Sequence, residues 1–114
     1  MFGTPVPEID AATLAQWREE GRKIRLVDVR SPAEFAQGII ANSILMPLHL
    51  LPLRAAELSD DVETVFYCRT GARSAQACMF MMQQGNQRVY NLAGGIFAWA
   101  RAGRPIDSAE TAAA

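Results

Sequence analysis

The chain has one histidine, His49, and two cysteines, Cys68 and Cys78. Two thiols in 114 residues do not make the disulfide framework of a small secreted domain. Three such residues are too few for a zinc site of the usual Cys/His kind. No stretch approaches the ~18 apolar residues of a membrane span. Residues 1–10 have neither the basic start nor the apolar run of a signal peptide. A basic surplus is also missing: net charge is -1, so nothing drives binding to nucleic acid or to an anionic membrane surface. These absences point to a soluble protein of the reducing cytoplasm without a protein-built zinc site.

Half of the residues are hydrophobic and a fifth are charged, an ordinary globular balance for one domain. Residues 1–8 read as a loose arm, 9–106 as the domain and 107–114 as a frayed tail. Asp10 is a good N-cap for a helix over 11–21. Ile24 to Val29 is a buried strand of mostly branched residues. Ser31-Pro32-Ala33-Glu34 opens a short helix, with Ser as cap, Pro in the first turn and Glu three residues after the cap. A weak strand at 43–46 and a helix at 50–58 follow. Val62 to Tyr67 is the second clear strand. A strongly apolar helix spans 74–84, a short strand 88–90, and a last helix 96–102. Strands alternating with helices indicate an α/β fold with a mostly parallel sheet covered on both faces. In such sheets ligands bind beyond the carboxyl ends of the strands. Cys68 lies at that edge.

The loop Cys68-Arg69-Thr70-Gly71-Ala72-Arg73-Ser74 carries the chemistry. The following helix directs unpaired amides and a positive dipole end toward it. Gly71 permits a turn with positive φ, and successive amides in such a turn form an anion nest. Arg69 and Arg73 add forked cationic donors. A free thiol ionises near pH 8.5; helix starts and neighbouring arginines lower that to roughly 3.5–7.5. Cys68 then serves as a thiolate nucleophile without a general base, and His49 is not needed as one. The bland alternative for Cys68 is a small buried hydrophobe at a strand end. For Cys78, amid Ala75, Met79, Phe80, Met81 and Met82, core packing outweighs a role as resolving thiol.

Four motifs in order resemble the single-domain rhodanese family: Leu26-Val27-Asp28-Val29-Arg30, Glu34-Phe35-Ala36-Gln37-Gly38, Tyr67 through Ser74, and Leu92-Ala93-Gly94-Gly95-Ile96-Phe97-Ala98-Trp99. The resemblance implies a five-stranded, mostly parallel sheet and transfer of a sulfane sulfur through a cysteine persulfide. It makes Cys68 the nucleophile and gives the amides from Arg69 to Ser74, with Thr70, Gly71 and Ala72 between, the task of cradling the sulfur. It has Arg73 hold the anion and Arg69 guide an anionic donor. Asp28, Arg30 and Glu34 become structural supports, with Arg30 expected to pair with Glu34. Implied partners are a small anionic sulfur donor, such as thiosulfate, and a thiol or protein cysteine as acceptor. Specificity is expected in the loops at 48–54 and after Gly94. The family's usual Gly-His-Ile-x-Gly-Ala reads here Gly38-Ile39-Ile40-Ala41-Asn42-Ser43, so Ile39 replaces histidine and Asn42 replaces glycine. Asn42 can still adopt a left-handed conformation. Two rival readings are a rhodanese-fold phosphatase or arsenate reductase, whose loop is one residue longer, and a non-catalytic binding module.

Overall fold

The computed structural model of the protein describes residues 5–109. Five strands form one sheet: β1 (Glu8–Ile9), β2 (Ile24–Asp28), β3 (Ile44–Leu45), β4 (Glu63–Tyr67) and β5 (Val89–Leu92). Their order is β1-β5-β4-β2-β3, and every pairing is parallel. The helices are α1 (Ala11–Glu19), α2 (Pro32–Gln37), α3 (Leu51–Arg54), α4 (Ala72–Gln83) and α5 (Gly95–Arg101). No described helix is long and apolar enough to cross a membrane.

Alternation along the central strands divides the core in two. Leu26, Val65 and Tyr67 face one side and pack with Leu14 of α1 and Ile96 and Trp99 of α5. Val27, Phe66 and Cys68 face the other and pack with Leu51 of α3 and Ala77, Cys78 and Met81 of α4. Both faces are covered, so the strands read as continuous apolar runs rather than as alternating ones.

The caps follow the local chemistry. Asp10 accepts a hydrogen bond from the Thr13 amide at 2.8 Å. Ser31 and Glu34 form a reciprocal capping box at α2. Asn42 takes φ 67°, the left-handed conformation expected there.

Four expectations need correction. Glu8, assigned to the loose arm, lies in β1, and Pro7 accepts the Asn91 amide at 2.8 Å. The helix expected at 50–58 is broken into the short α3 between 3-10 turns at Leu48–Leu50 and Ala55–Glu57. Helix α4 starts at Ala72 rather than Ser74, because Gly71 (φ 112°) provides the left-handed N-cap. Asp107, assigned to the tail, forms an antiparallel bridge with Ile39, through mutual amide bonds of 2.9 and 2.8 Å. The ends of the arm and tail, 1–4 and 110–114, lie outside the described residues.

Candidate active site

Strand β4 ends at Tyr67, and Cys68 is the first residue beyond it. The turn at Gly71 folds the loop back over the sulfur. The Gly71 amide donates to Sγ at 3.1 Å, and Ser74 Oγ lies 3.3 Å from it. Cys68 is only 1% exposed. It packs among the apolar groups of one core face, Leu51, Ala77, Cys78 and Met81 included, while its sulfur meets the polar donors of the loop and of α4. Burial by itself pushes the thiol up. The Ser74 hydroxyl and the Ser74, Gly71 and Thr70 amides outweigh it and hold Cys68 below the ordinary thiol value. The depression comes from hydroxyl and backbone donors more than from the two arginines. Cys78 shows the contrast. Fully buried without such donors, it is pushed up to about 12 by burial, with the negative charge of Glu8 adding to the effect.

The loop is held from behind by the start of α5. The Ile96 amide donates to the Cys68 carbonyl at 2.9 Å, and the Phe97 amide to the Arg69 carbonyl at 3.1 Å. Anchoring these carbonyls on α5 helps fix the loop backbone around the sulfur. The approach leaves no room for a side chain at Gly95. A Cβ there would stand 2.4 Å from the Cys68 oxygen and 2.5 Å from the Arg69 oxygen. This contact is the physical reason for Gly95; at Gly94, with φ 76°, a Cβ would instead meet that of Ala98 at 2.5 Å. Ser74, fully buried, also reaches Asn91 Oδ1 at 2.5 Å, and Asn91 Nδ2 donates to the Gly71 carbonyl at 3.1 Å. Sequence reasoning passed over Asn91; a polar residue inside an apolar strand is the signal that marks it.

The supporting ion pairs are exchanged relative to expectation. Arg30 does not pair with Glu34. Its Nη2 lies 2.7 Å from Asp28 Oδ2, and its Nε bonds both Asp28 oxygens at 3.0 Å. Nη2 also donates to the Gly38 carbonyl at 2.7 Å, which ties the end of β2 to the end of α2. Residues two apart in extended chain share a side, so Asp28 reaches Arg30 before Glu34 can. Glu34 instead receives both terminal nitrogens of Arg73, at 2.7 and 2.9 Å. Both terminal nitrogens of Arg73 are therefore engaged by a carboxylate, while its charge also acts on Cys68. Arg69 is exposed, and among the described residues its guanidinium has no hydrogen-bond or ion-pair partner. It lines a groove of about 290 Å³ with Arg30, Glu34, Ile96, Phe97 and Ile106. His49 is exposed and lines a separate groove beside Arg73.

The Arg73 guanidinium first, aided by the Ser31 amide and hydroxyl, lowers Glu34 to about 2, against a partial opposing effect of burial. The sign follows. The pair's contribution is complete above the ordinary value of 4.5 and is lost as pH falls toward about 2. Glu34→Gln is therefore expected to flatten the stability profile between those limits and to leave it parallel to wild type near neutrality. Urea midpoints measured across that range check this; identical acid limbs reject it.

Comparison with known proteins agrees with this fold. Residues 10–102 fit the family model of the rhodanese-like domain. The chain belongs to the rhodanese-like family. Among similar rhodanese-like proteins, a sulfurtransferase from Allochromatium vinosum is 51% identical over 92% of this chain and 98% of its own. A putative sulfurtransferase from Bacillus subtilis is 35% identical over 82% and 90%. The crystal structure of a rhodanese-related protein from Thermoplasma volcanium superposes with a TM-score of 0.81 at 34% identity, covering 89% of this chain and 97% of that one. At family level the protein is a rhodanese-like sulfurtransferase.

Proposed function

We propose that the protein moves a sulfane sulfur through a persulfide on Cys68, from a small anionic donor such as thiosulfate to a thiol or protein cysteine. The observation that carries this reading is the sulfur at the base of the loop, receiving the Gly71 amide at 3.1 Å beside the Ser74 hydroxyl. The Cys68 thiolate attacks the outer sulfur of thiosulfate. A sulfur–sulfur bond forms on Cys68, the donor's own sulfur–sulfur bond breaks, and sulfite leaves with the electron pair. A thiolate acceptor, or cyanide in a test tube, then attacks the terminal sulfur, and the Cys68 thiolate departs. Loop amides around the sulfur stabilise charge on the transferred atom. Both steps balance with no metal or organic cofactor. Arg69, exposed at the groove mouth, is suited to draw an anionic donor in. A thiolate nucleophile also suits the reducing cytoplasm, where free thiols persist.

Only four residues, Arg69 to Ala72, separate Cys68 from Arg73. So tight a cup suits one sulfur atom better than a tetrahedral phosphate. Incubation with thiosulfate is expected to add one sulfur atom per chain by intact mass, and cyanide to remove it as thiocyanate. Phosphate-ester or arsenate turnover without sulfur uptake would favour the phosphatase or reductase reading. No uptake and no turnover would favour a binding module.

A further inference from the structure

Asn91 takes no part in the chemistry above, yet its amide is fully engaged. Its side chain is buried, 1% exposed, in β5. Nδ2 donates to the Gly71 carbonyl at 3.1 Å and to Glu8 Oε2 at 3.0 Å. Both partners are acceptors, so the amide cannot be turned over and Oδ1 must face Ser74. The Ser74 oxygen lies 2.5 Å from Oδ1 and 3.3 Å from Sγ of Cys68. A hydroxyl carries one proton. Ser74 can give it to the amide oxygen or to the sulfur, but not to both.

We propose that Asn91 is a positioning residue for Cys68 acting through Ser74: it holds the hydroxyl proton while the sulfur is uncharged and yields it when the thiolate forms. The proposal rests on Cys68 being the nucleophile. While Cys68 is a thiol, its S–H donates to Ser74 Oγ and Ser74 donates to Asn91. On ionisation the thiol proton leaves to solvent, and the hydroxyl turns toward sulfur. When the persulfide forms, charge passes to the outer sulfur, and the hydroxyl returns to Asn91. Only rotation about the Ser74 Cβ–Oγ bond is needed. Asn91 thus pulls against the thiolate. The sulfur is stabilised less than Ser74 alone would allow, and it stays a stronger nucleophile, because nucleophilicity falls as the thiol becomes more acidic.

The charged and titratable groups around this site are few. Arg69 comes from the loop, and Arg73 and Cys78 from α4, with Arg73 on Glu34 of α2 and Cys78 in the apolar cluster that also holds Cys68. Asp28 ends β2, its partner Arg30 lies just past it, and Tyr67 ends β4. Glu8 of β1 stands behind Asn91. None of them is a hydrogen-bond partner of the Ser74 hydroxyl.

The test is the pH dependence of Cys68 alkylation in wild type, Ser74→Ala, Asn91→Ala and the double variant. Ser74→Ala should raise the midpoint by about one pH unit, the size of a lost hydrogen bond to a charged group. Asn91→Ala should lower it by about half a pH unit when Ser74 is present and should not lower it when Ser74 is absent. A merely structural brace would loosen the amide cup and raise the midpoint in both backgrounds. A raised or unchanged midpoint in Asn91→Ala, or an equal fall without Ser74, overturns the proposal. If Asn91→Ala does not fold, Asn91→Val carries the same expectation, since its β-branched side chain suits a buried strand. Sulfur uptake is read separately. Failure of wild type to take up sulfur overturns the transfer reading, whereas uncoupled midpoints overturn the role of Asn91 alone.

Discussion

Cys68→Ser is expected to take up no sulfur from thiosulfate and to lose transfer to cyanide down to background. Serine is nearly the same size, can accept the Gly71 amide that Sγ accepts at 3.1 Å, and leaves the packing of β4 against α4 unchanged. The loss is therefore chemical. The neutral hydroxyl ionises far above the thiol range, and attack on a sulfane sulfur by oxygen gives no persulfide. No other group in the described residues can substitute. Cys78 is fully buried in the core and is pushed up to about 12 by burial, so it stays protonated and sealed. Intact mass after incubation, with a urea curve showing a folded variant, checks the prediction. A folded Cys68→Ser protein that still gains sulfur would place the chemistry elsewhere.

The largest effect on stability is expected from Asp28→Ala. Asp28 is fully buried and accepts the backbone amide and the side chain of Arg30, which is itself only 6% exposed. Removing the carboxylate leaves a guanidinium in the interior with the Gly38 carbonyl and the face of the Tyr67 ring, but no adjacent negative charge in contact. Breaking one side of such a pair costs about 3–5 kcal/mol, a large share of the ~5–15 kcal/mol that keeps a domain folded. The Glu34–Arg73 pair, with side chains 26% and 38% exposed, makes the useful comparison. Screened by solvent, it is worth about 0–1 kcal/mol. Equilibrium urea unfolding of Asp28→Ala beside Glu34→Ala checks the ranking. Equal losses would mean that burial does not decide the matter.

Much of this was legible in the chain. The loop was, because its residues have few other uses. A cysteine between a strand of branched residues and a helix, with Gly71 and two arginines beside it, has little structural reason to exist. The parallel sheet was legible too, from continuous apolar runs separated by caps and turns. Pairings across distance were not. Arg30 and Glu34 have a spacing that suits a helix, but Arg30 lies just past β2, where extended geometry brings Asp28 closer. Glu8 belongs to a two-residue strand held by backbone bonds, which leave no side-chain pattern. The same holds for Asp107 against Ile39. The role of Arg73 was half visible. Its charge was evident, but its Glu34 partner on α2 was not, because only the fold brings the two within reach.

The grip of α5 on the loop has a consequence for synthesis of the chain. Cys68 leaves the ribosome well before Gly95, Ile96 and Phe97, whose contacts fix the carbonyls of Cys68 and Arg69. Until those residues emerge, the carbonyls of Cys68 and Arg69 lack the α5 amides that hold them. The brace on the loop therefore follows, in chain order, the cysteine that it steadies.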